Sequence, residues 1–484
     1  MTFQHRARLL SLILLPALVG GCLSSATDTA PPPPPAASSE GARRPVIIDT
    51  DLDHSDLAAI AIMLRDPGLD VRAITIAGTG LVHCAGGRRV TRYLLEELRE
   101  EQIPFACGRE DGGPDARPFP DDWRAVADNA YGLEIPARPQ SGLPPDAVTI
   151  LAAAVTDSPS APTIVALGPW TNLEDAFVAD PSLADRVAGI HAMLGTLEAP
   201  GNVLVDGRTA DDLLEWNAFA DPSAVSAVFA TDVPIDLVPL DATDDVPVPP
   251  DLTERLATDH AAAGADLMYE LLLRNPARLR ADEGQQLWDE LAALALTDPG
   301  LVTWRSGDLS VGEGGRLVQD GAGRATRVDV TAHTPAVETA MLAALRRGIP
   351  RATPFALAGS IEVIFDGTRC QEVGDASGTA RTAGLHVLRY TGQHGTPSGT
   401  TIVGVRAPRG WDDLVAWLAT ADPASEQQQP DWIVIGPSVG DEAGDGAPVT
   451  STGAITAGTY GPVCLTGTWP EITFVPGTPF QVAD

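Results

Sequence analysis

The sequence predicts an α/β protein with a mostly parallel open sheet and helices on both faces, followed by a small all-β domain. From Pro45 to about Pro350, short β-branched runs alternate with longer Ala- and Leu-rich stretches, which is the pattern of βαβ units. After Pro354 the pattern changes to strands and turns rich in Gly, Thr, Ser and Pro. Ligands of a parallel sheet bind beyond the carboxyl ends of its strands, so functional residues are expected there.

Composition limits the classes of function. The chain has 484 residues, 44% of them hydrophobic, which is enough for two globular units. Its formal net charge of −33 is spread over the whole length, which argues against nucleic acid or an anionic membrane surface as a partner. The chain contains no lysine, and this excludes Schiff-base and phosphate-loop lysines.

The N-terminus has the order of an export signal. Arg6 and Arg8 precede the apolar run Leu9 to Val19, which is too short for an ordinary membrane-spanning helix. Val19-Gly20-Gly21-Cys22 then resembles a bacterial lipobox, in which Cys22 becomes the acylated N-terminus. Residues 1–21 are therefore expected to be a lipoprotein signal peptide. The mature protein would be exported and lipid-anchored to a bacterial membrane, in the periplasm or at the cell surface.

The sequence divides further along the chain. Residues 22–44, centred on Pro31–Pro35, can bury little and are predicted to form a disordered tether. Residues 45–350 would form the α/β domain and residues 355–484 the β-sandwich domain. Within the first domain the predicted strands are Val46–Ile48, Val71–Ile76, Thr163–Leu167, Gly189–Leu194 and Ile235–Leu240. The predicted helices are Val90–Glu100, Asp146–Val155 and Asp289–Ala295.

The first strand runs directly into a dense acidic cluster. Its four carboxylates are those of Asp49, Asp51, Asp53 and Asp56. Clustered acids are costly unless a positive group lies among them, so the cluster predicts a hard-cation site.

Three other interpretations of the cluster were considered. A helix-loop-helix calcium loop needs Gly where His54 stands and Glu where Ile60 stands. Phosphoaspartyl hydrolases resemble one another in a downstream lysine, a role that only arginine could fill here. Capping of the following helix by Asp53 or Ser55 accounts for one acid and leaves three unexplained.

Export would place the cysteines in an oxidising compartment. Besides Cys22 the chain has Cys84, Cys107, Cys370 and Cys464, two in each predicted domain. Of the three possible pairings, Cys84–Cys107 and Cys370–Cys464 are the natural ones.

Taken with later motifs, the acidic cluster resembles the calcium-dependent inosine–uridine nucleoside hydrolases. The resemblance covers most of Pro45 to Gly348, and its pieces occur in the family's order. After the cluster the matching stretches are Ile74–Gly80, Ala166–Leu173, Met193-Leu194-Gly195, Pro200-Gly201-Asn202, Glu215–Pro222 and Leu287–Ala292. Six motifs in register are far more specific than any one of them.

The resemblance implies a Ca2+ cofactor and a set of site residues. It assigns the calcium ligands to the carboxylates of Asp51, Asp56 and Asp289 and the backbone carbonyl of Thr171. Asp51 would also be the general base that takes a proton from the attacking water. The implied substrate-binding residues are Ser55, Thr79, Asn202, Glu215 and Asn217. Without that context, an Asn or Glu at such a position is more often a loop or capping residue.

The residue before the last calcium aspartate bears on the leaving base. Relatives that act broadly or on pyrimidines resemble each other in a His there, whereas purine-preferring relatives carry Trp, and this chain has Trp288. An indole can stack on a purine and favour its protonated form. A core Trp at a helix start is the alternative. His83 and Trp170 are secondary candidates for the same pocket.

Three departures from the family pattern affect sugar recognition. Ser55 stands where relatives have a second acid, Thr79 or Gly80 where many have Asn, and Asp53 where Gly is usual. Two functions therefore stay open. The first is hydrolysis of nucleosides, expected to be purine nucleosides, to base and ribose. The second is a catalytically impaired surface lipoprotein that binds calcium and sugar.

The C-terminal region has its own resemblance. The stretches Phe365–Cys370 and Gly458–Cys464 resemble those of cupredoxin-like sandwich domains. Nothing after Cys464 supplies the His and Met of a blue-copper site, so a structural disulfide and a binding or spacing role are expected. The expected partner of the whole protein is a small-molecule nucleoside, with contact to the membrane through the lipid anchor alone. Homo-oligomerisation is left open.

Overall fold

A computed structural model describes most of the chain after the tether. The described residues are 43–137, 145–275, 285–319, 321, 323–373, 381–392, 397–420, 430–441, 449–468 and 471–483. The predicted signal peptide, Cys22 and nearly all of the predicted tether lie outside them. No helix among these residues is long and apolar enough to cross a membrane.

The α/β part is built on a nine-stranded sheet. Its strands are β1 (Arg44–Thr50), β2 (Leu69–Ile76), β3 (Phe105–Cys107), β4 (Thr163–Ala166), β5 (Gly189–Met193), β6 (Ile235–Val238), β7 (Val302–Val311), β8 (Leu317–Gln319) and β9 (Arg324–Ala332). All five predicted strands are present. The short β3 and the trio β7 to β9 were not predicted.

The order of the strands creates a crevice. The sheet runs β3-β2-β1-β4-β5-β6-β9-β7-β8, and β7 pairs antiparallel with both β8 and β9. From β1 the chain proceeds outward through β2 and β3, and then returns to the other side of β1 with β4. The helices that follow β1 and β4 therefore diverge, which opens a space beyond the ends of these two strands.

Helices cover both faces of this sheet, as predicted. They are α1 (His54–Leu64), α2 (Cys84–Glu97), α3 (Asp121–Asp128), α4 (Ala147–Asp157), α5 (Thr171–Ala179), α6 (Trp216–Ala220), α7 (Pro222–Phe229), α8 (Leu240–Thr243), α9 (Leu252–Ala257), α10 (Ala263–Arg274), α11 (Trp288–Thr297) and α12 (Thr334–Leu345). Short 3-10 helices occupy Ala130–Gly132, Pro181–Arg186, Ala210–Asp212, Pro299–Leu301 and Glu313–Gly315.

Strand β1 shows why a continuous apolar run forms the centre of the sheet. Val46 and Ile48 contribute to one hydrophobic core, and Ile47 between them contributes to the core on the opposite face. All three are fully buried, because successive side chains of a strand point to opposite faces and both faces are covered. The helix α1 that follows is likewise buried at every residue, which fixes the position of the acidic loop between them.

The C-terminal part consists mainly of strands. They are β10 (Gly359–Phe365), β11 (Cys370–Val373), β12 (Arg381–Thr382), β13 (Gly384–Thr391), β14 (Ser398–Val405), β15 (Ile433–Asp441), β16 (Val449–Ile455), β17 (Gly458–Thr468), β18 (Glu471–Pro476) and β19 (Phe480–Ala483), with one helix, α13 (Trp411–Leu418). One sheet runs β11-β10-β13-β16 and the other β12-β19-β17-β14-β15, with β18 on β17. An apolar core that includes Ile361, Leu388 and Ile402 lies between the strands of the two sheets.

The two parts are held together by buried contacts. Leu385 of β13 joins the core of the α/β part. Thr452 of β16 donates a hydrogen bond to the carbonyl of Leu273 in α10. Arg351, in the segment that connects the two parts, is 3% exposed and forms ion pairs with acids of α2 and α10.

Two disulfides are present, and they join the cysteines in the pairs expected from the sequence. Cys84 at the start of α2 is bonded to Cys107 at the end of β3. Cys370 of β11 is bonded to Cys464 of β17, which links the two sheets of the C-terminal part.

Candidate functional site

The site is organised around Asp51, the first residue after β1. The adjacent Leu52 has a positive φ of 59°, an uncommon conformation for a branched residue that directs the chain sharply into α1. The backbone of two glycines, Gly80 and Gly168, lies close to Asp51. A Cβ atom on Gly80 would lie 2.3 Å from the Cβ of Asp51, and one on Gly168 would lie 2.9 Å from it. Glycine is therefore required at both positions.

Asp51 opens into a cavity of about 670 Å³ beyond the ends of β1 and β4. The polar residues that line the cavity include Asp51, Ser55, Asn202, Asn217 and Asp289. The aromatic residues that line it include Phe119, Trp123, Tyr131, Trp216 and Trp288. A cavity lined by both kinds of residue suits a ligand that has a hydroxylated part and a flat aromatic part.

Three buried carboxylates lie together in the site. Oδ2 of Asp51 accepts a hydrogen bond from the Leu81 amide at 2.9 Å. Asp56 accepts from the Thr50 hydroxyl at 2.5 Å and from the Asp53 amide at 2.8 Å. Asp289 accepts from the Ser55 hydroxyl through Oδ2.

Burial raises the pKa values of these acids, and the charges of neighbouring acids add to the effect. Burial raises the pKa of Asp51 to about 7, and the charge of Asp53 adds to this effect. Burial also raises the pKa of Asp56 well above its usual range, with Asp289 as the next cause. The pKa of Asp289 is raised by burial as well, although its hydrogen bond from Ser55 opposes the shift. A carboxylate with a pKa near 7 is suited to act as a general base at neutral pH.

The donor set fits a hard cation in chemistry and charge. All the donors are oxygens, and Oδ1 of Asp289 is buried without a hydrogen-bond partner among the described residues. Among the described residues, no arginine forms an ion pair with Asp51, Asp56 or Asp289. A bound cation would balance the negative charge of these acids. The described part of the chain contains no group of three or more His, Cys, Asp or Glu side chains already arranged as a metal site.

Several predicted residues lie behind the cavity wall. Thr171 begins α5, and its hydroxyl donates to Asp221 at 2.8 Å and pairs with the Thr79 hydroxyl at 2.7 Å. Thr79 is 4% exposed and does not line the cavity, so its predicted contact with a ligand is not supported by its position. Asp49 accepts hydrogen bonds from Thr75 and Asn172, and burial raises its pKa to about 7. Asp49, Thr79 and Thr171 therefore belong to the buried surroundings of the site and do not line the cavity.

Asn202, Asn217 and Glu215, which were assigned to sugar recognition, differ in which of their polar atoms are already hydrogen-bonded within the protein. Asn202 uses its side-chain oxygen to accept from the Trp216 amide at 3.1 Å, which leaves its NH2 group available. Asn217 donates its NH2 group to the carbonyls of Leu167 and Met193, which leaves its oxygen available. Asn202 and Asn217 therefore offer a donor and an acceptor to a ligand.

Glu215 is largely committed to the protein. It caps α6 and accepts backbone hydrogen bonds from Gly195 at 2.8 Å, Asn217 at 2.8 Å and Ala218 at 3.1 Å. Burial raises its pKa, although these hydrogen bonds oppose the shift. The capping role and the position on the cavity wall therefore coexist in one residue.

Several of the aromatic residues that line the cavity pack against one another. Phe119 stacks on Trp216 with ring centroids 4.6 Å apart, and Trp123 lies 5.5 Å from the same indole. Trp288 begins α11 and meets the ring of His54 edge-on at 6.1 Å. The indole of Trp288 is half-buried and faces the cavity, so the alternative of a purely core Trp does not hold.

Two secondary candidates lie elsewhere. Trp170 is fully buried and stacks on Phe229 in the opposite core, so its expected position in the pocket is wrong. The position of Trp170 just after the end of β4 suggested that it lines the pocket. Its side chain instead points to the other face of the sheet. His83 pairs with Asp128 at 2.7 Å at the start of α2 and does not line the cavity.

The sequence did not identify two polar residues of the wall. His54 and Tyr131 both line the cavity, and the Tyr131 hydroxyl donates to Asp53 at 2.7 Å. His54 could have been singled out as the one imidazole within the acidic cluster. Tyr131 lies in a segment without periodic pattern, and its φ of 53° gave no sequence signal because a bulky residue rarely adopts it.

Comparison with known proteins identifies relatives of the α/β part. Residues 46–344 match the family model described as inosine-uridine preferring nucleoside hydrolase. The pyrimidine-specific ribonucleoside hydrolase RihA of Citrobacter koseri is 33% identical over 217 residues, which are 44% of this chain and 64% of that protein. RihA of Salmonella arizonae is 32% identical over 205 residues, 41% of this chain and 61% of its own length. The matched stretch thus spans less than two thirds of these relatives.

Solved structures share the fold. The plant nucleoside hydrolase PpNRh1 aligns with a TM-score of 0.56 at 26% identity, over 63% of this chain and 99% of its own. An inosine-uridine preferring nucleoside hydrolase from Bacillus anthracis gives 0.54 at 21% identity, over 63% and 99%. A purine-preferring ribonucleoside hydrolase from Gardnerella vaginalis gives 0.52 at 22% identity, over 63% and 98%. At these identities the last two support the fold alone.

Proposed function

The chain belongs to the inosine-uridine preferring nucleoside hydrolase family, and on that premise we propose that it hydrolyses the N-glycosidic bond of nucleosides to a free base and ribose. The observation that carries this proposal is the cavity, which is lined both by carboxylates and amides, Asp51 among them, and by several aromatic rings. Ribose would contact the polar residues and the base would lie against the aromatic rings. Asn202 and Asn217 would then share hydrogen bonds with the sugar hydroxyls.

The reaction replaces the bond between C1′ and the base nitrogen by a bond to a water oxygen. Its transition state has oxocarbenium character, so carboxylates near the sugar stabilise it. Asp51 takes a proton from the attacking water, and the electron pair of the broken bond leaves with the base. The base nitrogen gains one proton from solvent and Asp51 returns its proton to solvent, so that water is consumed and the free base and ribose are formed. Burial raises the pKa of Asp51 to about 7 in the metal-free site, and a bound cation would lower it and keep the carboxylate ionised to accept this proton.

We assign a calcium ion to the carboxylates of the site. Asp51, Asp56 and Asp289 would hold it with the backbone carbonyl of Thr171, as family resemblance implies. The unpartnered Oδ1 of Asp289 and the all-oxygen donors support this assignment. When bound, calcium would position water and sugar hydroxyls. Activity that survives exhaustive chelation would contradict this part of the proposal.

The preferred base is proposed to be a purine. Trp288 carries this choice, because its indole lies on the cavity wall and offers a flat face large enough for a fused ring. Pyrimidine nucleosides are the second candidate, since the RihA relatives are named as pyrimidine-specific. These two possibilities differ in a direct assay.

The assay compares inosine, guanosine, adenosine, uridine and cytidine with the same protein. Free base and ribose are measured with calcium and with chelator. The proposal expects calcium-dependent release of base, fastest from a purine nucleoside. Faster cleavage of uridine than of inosine would overturn the role of Trp288. Calcium binding without release of any base would favour the alternative, a catalytically impaired binder of calcium and sugar.

The N-terminal signal and Cys22 support a location outside the cytoplasm, with the protein anchored through lipid. The C-terminal part would then be a sandwich domain with a binding or spacing role at the membrane surface. A nucleoside hydrolase in that location would act on nucleosides before uptake.

A further inference from the structure

His54 lines the cavity, and its imidazole contacts two of the aromatic residues that also line it. His54 is the first residue of α1, and its side chain is 8% exposed. Its ring meets Tyr131 edge-on at 5.7 Å and Trp288 at 6.1 Å. The ring is therefore fixed in orientation by its neighbours, next to aromatic residues assigned to the base.

The hydrogen bonds around Asp53 define the tautomer of His54. Oδ1 of Asp53 lies 2.7 Å from Nδ1 of His54, and it also accepts from the His54 amide and the Tyr131 hydroxyl, each at 2.7 Å. A carboxylate oxygen can only accept, so Nδ1 is the protonated nitrogen of the ring. In the neutral imidazole, Nε2 then carries a lone pair and is a hydrogen-bond acceptor.

Nε2 has no hydrogen-bond partner among the described residues, although it is buried. Buried polar atoms in folded proteins are nearly always hydrogen-bonded, and an exception calls for an explanation. A purely structural role for His54 would be complete with Nδ1 bonded to Asp53. It leaves unexplained a buried acceptor without a partner on a residue that lines the cavity.

We propose that Nε2 of His54 accepts a hydrogen bond from an N–H or O–H group of the bound nucleoside, and that this contact selects ligands carrying that group. The inference rests on the proposed function, since it supposes a nucleoside in the cavity. Asp53 and Tyr131 are positioning residues for this contact, because they hold Nδ1 and thereby orient Nε2. The donor is either an N–H on the edge of the base or a hydroxyl of the sugar.

The first arm of the test varies the ligand and keeps the wild-type full chain. Binding is measured by stopped-flow quenching of tryptophan fluorescence, before base is released. Inosine is compared with 1-methylinosine, which lacks the N1–H donor, and with the 2′-, 3′- and 5′-deoxy analogues, which each lack one hydroxyl. We expect at least one analogue to bind about ten- to a hundredfold more weakly, since it leaves a buried acceptor unpaired. A missing hydroxyl also removes proposed contacts with calcium, Asn202 and Asn217, so the loss is assigned to His54 only where the protein variants abolish it. A spread within about threefold across all analogues would overturn the inference.

The second arm varies the protein. His54→Phe retains a ring between Tyr131 and Trp288 but has no acceptor. The penalty, which is the dissociation constant of the sensitive analogue divided by that of inosine, should therefore fall to about one. His54→Gln restores an acceptor oxygen and should restore part of the penalty. His260→Phe is the matched control, because His260 pairs with Asp266 at 2.8 Å and does not line the cavity. It should keep the wild-type penalty. An unchanged penalty in His54→Phe would overturn the inference.

Two further measurements separate the possible failures. 7-Deazainosine lacks the N7 acceptor of the base. A loss of affinity confined to this analogue would show that Nε2 of His54 donates a hydrogen bond, and this would overturn the inference. Base release is followed in the same samples. Selective binding without release would contradict hydrolysis and support the His54 contact. Release that is indifferent to the analogue series would support hydrolysis and contradict the contact.

Discussion

At the scale of single residues, Ser55 changes the electrostatics of the site. Its hydroxyl donates to Asp289, whereas the second acid usual at this position in relatives would bring another negative charge beside three buried carboxylates. A serine therefore lowers the repulsion that the fold must tolerate when no cation is bound. It also removes one charged partner for a sugar hydroxyl.

This leads to a prediction for Ser55→Asp. The added carboxylate should lower the melting temperature in chelator and should enlarge the rise in melting temperature produced by calcium. The physical reason is like-charge repulsion at a buried position that a divalent ion relieves. Thermal unfolding with chelator and with millimolar calcium measures both effects.

The matched control is Ser55→Asn, which has nearly the same size as Asp and no charge. Its melting temperature should respond to calcium as the wild type does. Equal calcium responses in the Asp and Asn variants would contradict a cation beside residue 55.

Much of the site could be anticipated because its residues belong to short motifs. Asp51, Ser55, Asn202, Trp288 and Asp289 all line the cavity. The contacts that were missed are long-range ones, such as that between Tyr131 and Asp53, which are 78 positions apart. No local pattern encodes such a pair, because it depends on how the loop after α3 folds back over α1.

At the scale of elements, strand β5 is tied to helix α11 by a buried histidine. Nε2 of His191 lies 2.9 Å from the carbonyl of Ala292 and donates to it. His191 is 2% exposed, and burial lowers its pKa to about 4, although the bond to Ala292 opposes the shift. The neutral form is thus the one that the folded state accommodates.

Stability should therefore decline as the pH falls from about 6.5 towards 4. In this interval the unfolded chain binds a proton at His191 and the folded chain does not, so protons favour unfolding, by an amount on the order of 3 kcal/mol. In His191→Gln, which can still donate to Ala292, that part of the pH dependence should vanish. Denaturant unfolding at several pH values measures the difference.

The comparison uses the difference between the two curves, because other buried groups titrate equally in both proteins. Above pH 7 the variant is expected to differ from the wild type by a constant. Parallel curves down to pH 4 would show that His191 contributes nothing to acid sensitivity.

Pattern analysis succeeded for elements that are buried on both faces and failed at the edges. The central strand β1 was predicted from an uninterrupted apolar run, and all of its residues after Arg44 are buried. Strand β7 alternates irregularly between exposed and buried residues and gave no clear period. Strand β3 has three residues, too few for any periodicity.

At the scale of the whole molecule, Arg351 fixes the segment between the two parts of the chain to helices of the α/β part. Its guanidinium contacts Glu97 at 3.1 Å, Glu270 at 2.7 Å, Asp266 at 3.3 Å and the Tyr93 hydroxyl at 2.7 Å. The arginine compensates several buried acids at once. Loss of its charge would leave those acids unpaired in a site that water does not reach.

Arg351→Met should lower the free energy of unfolding by about 3–5 kcal/mol, since Met fills similar space without charge. Arg347→Met is the control, because the side chain of Arg347 is 44% exposed and forms an ion pair with Asp66. Its effect should stay below about 1 kcal/mol. Chemical denaturation of both variants tests this, and equal effects would contradict the importance of the buried cluster.

The predicted anchor gives a test at the same scale. Cys22→Ala should abolish labelling by a radioactive fatty acid and move the protein from the membrane fraction to the soluble fraction, because the acceptor thiol is lost. Cys370→Ala is not a suitable control, since it breaks a disulfide. Ser24→Ala, close to Cys22, serves better and should keep the label. Membrane association of Cys22→Ala equal to that of the wild type would contradict the lipobox assignment.

The glycines that enclose Asp51 bear on how this protein can evolve. Any side chain at Gly80 or Gly168 would collide with the carboxylate, so neither position can acquire a new contact by mutation. The aromatic residues of the cavity are different, because Phe119, Trp123 and Trp288 stand on separate helices or loops and can be exchanged one at a time. A new substrate range would therefore arise by substitution of the aromatic residues that line the cavity. Gly80 and Gly168 beside Asp51 would be retained.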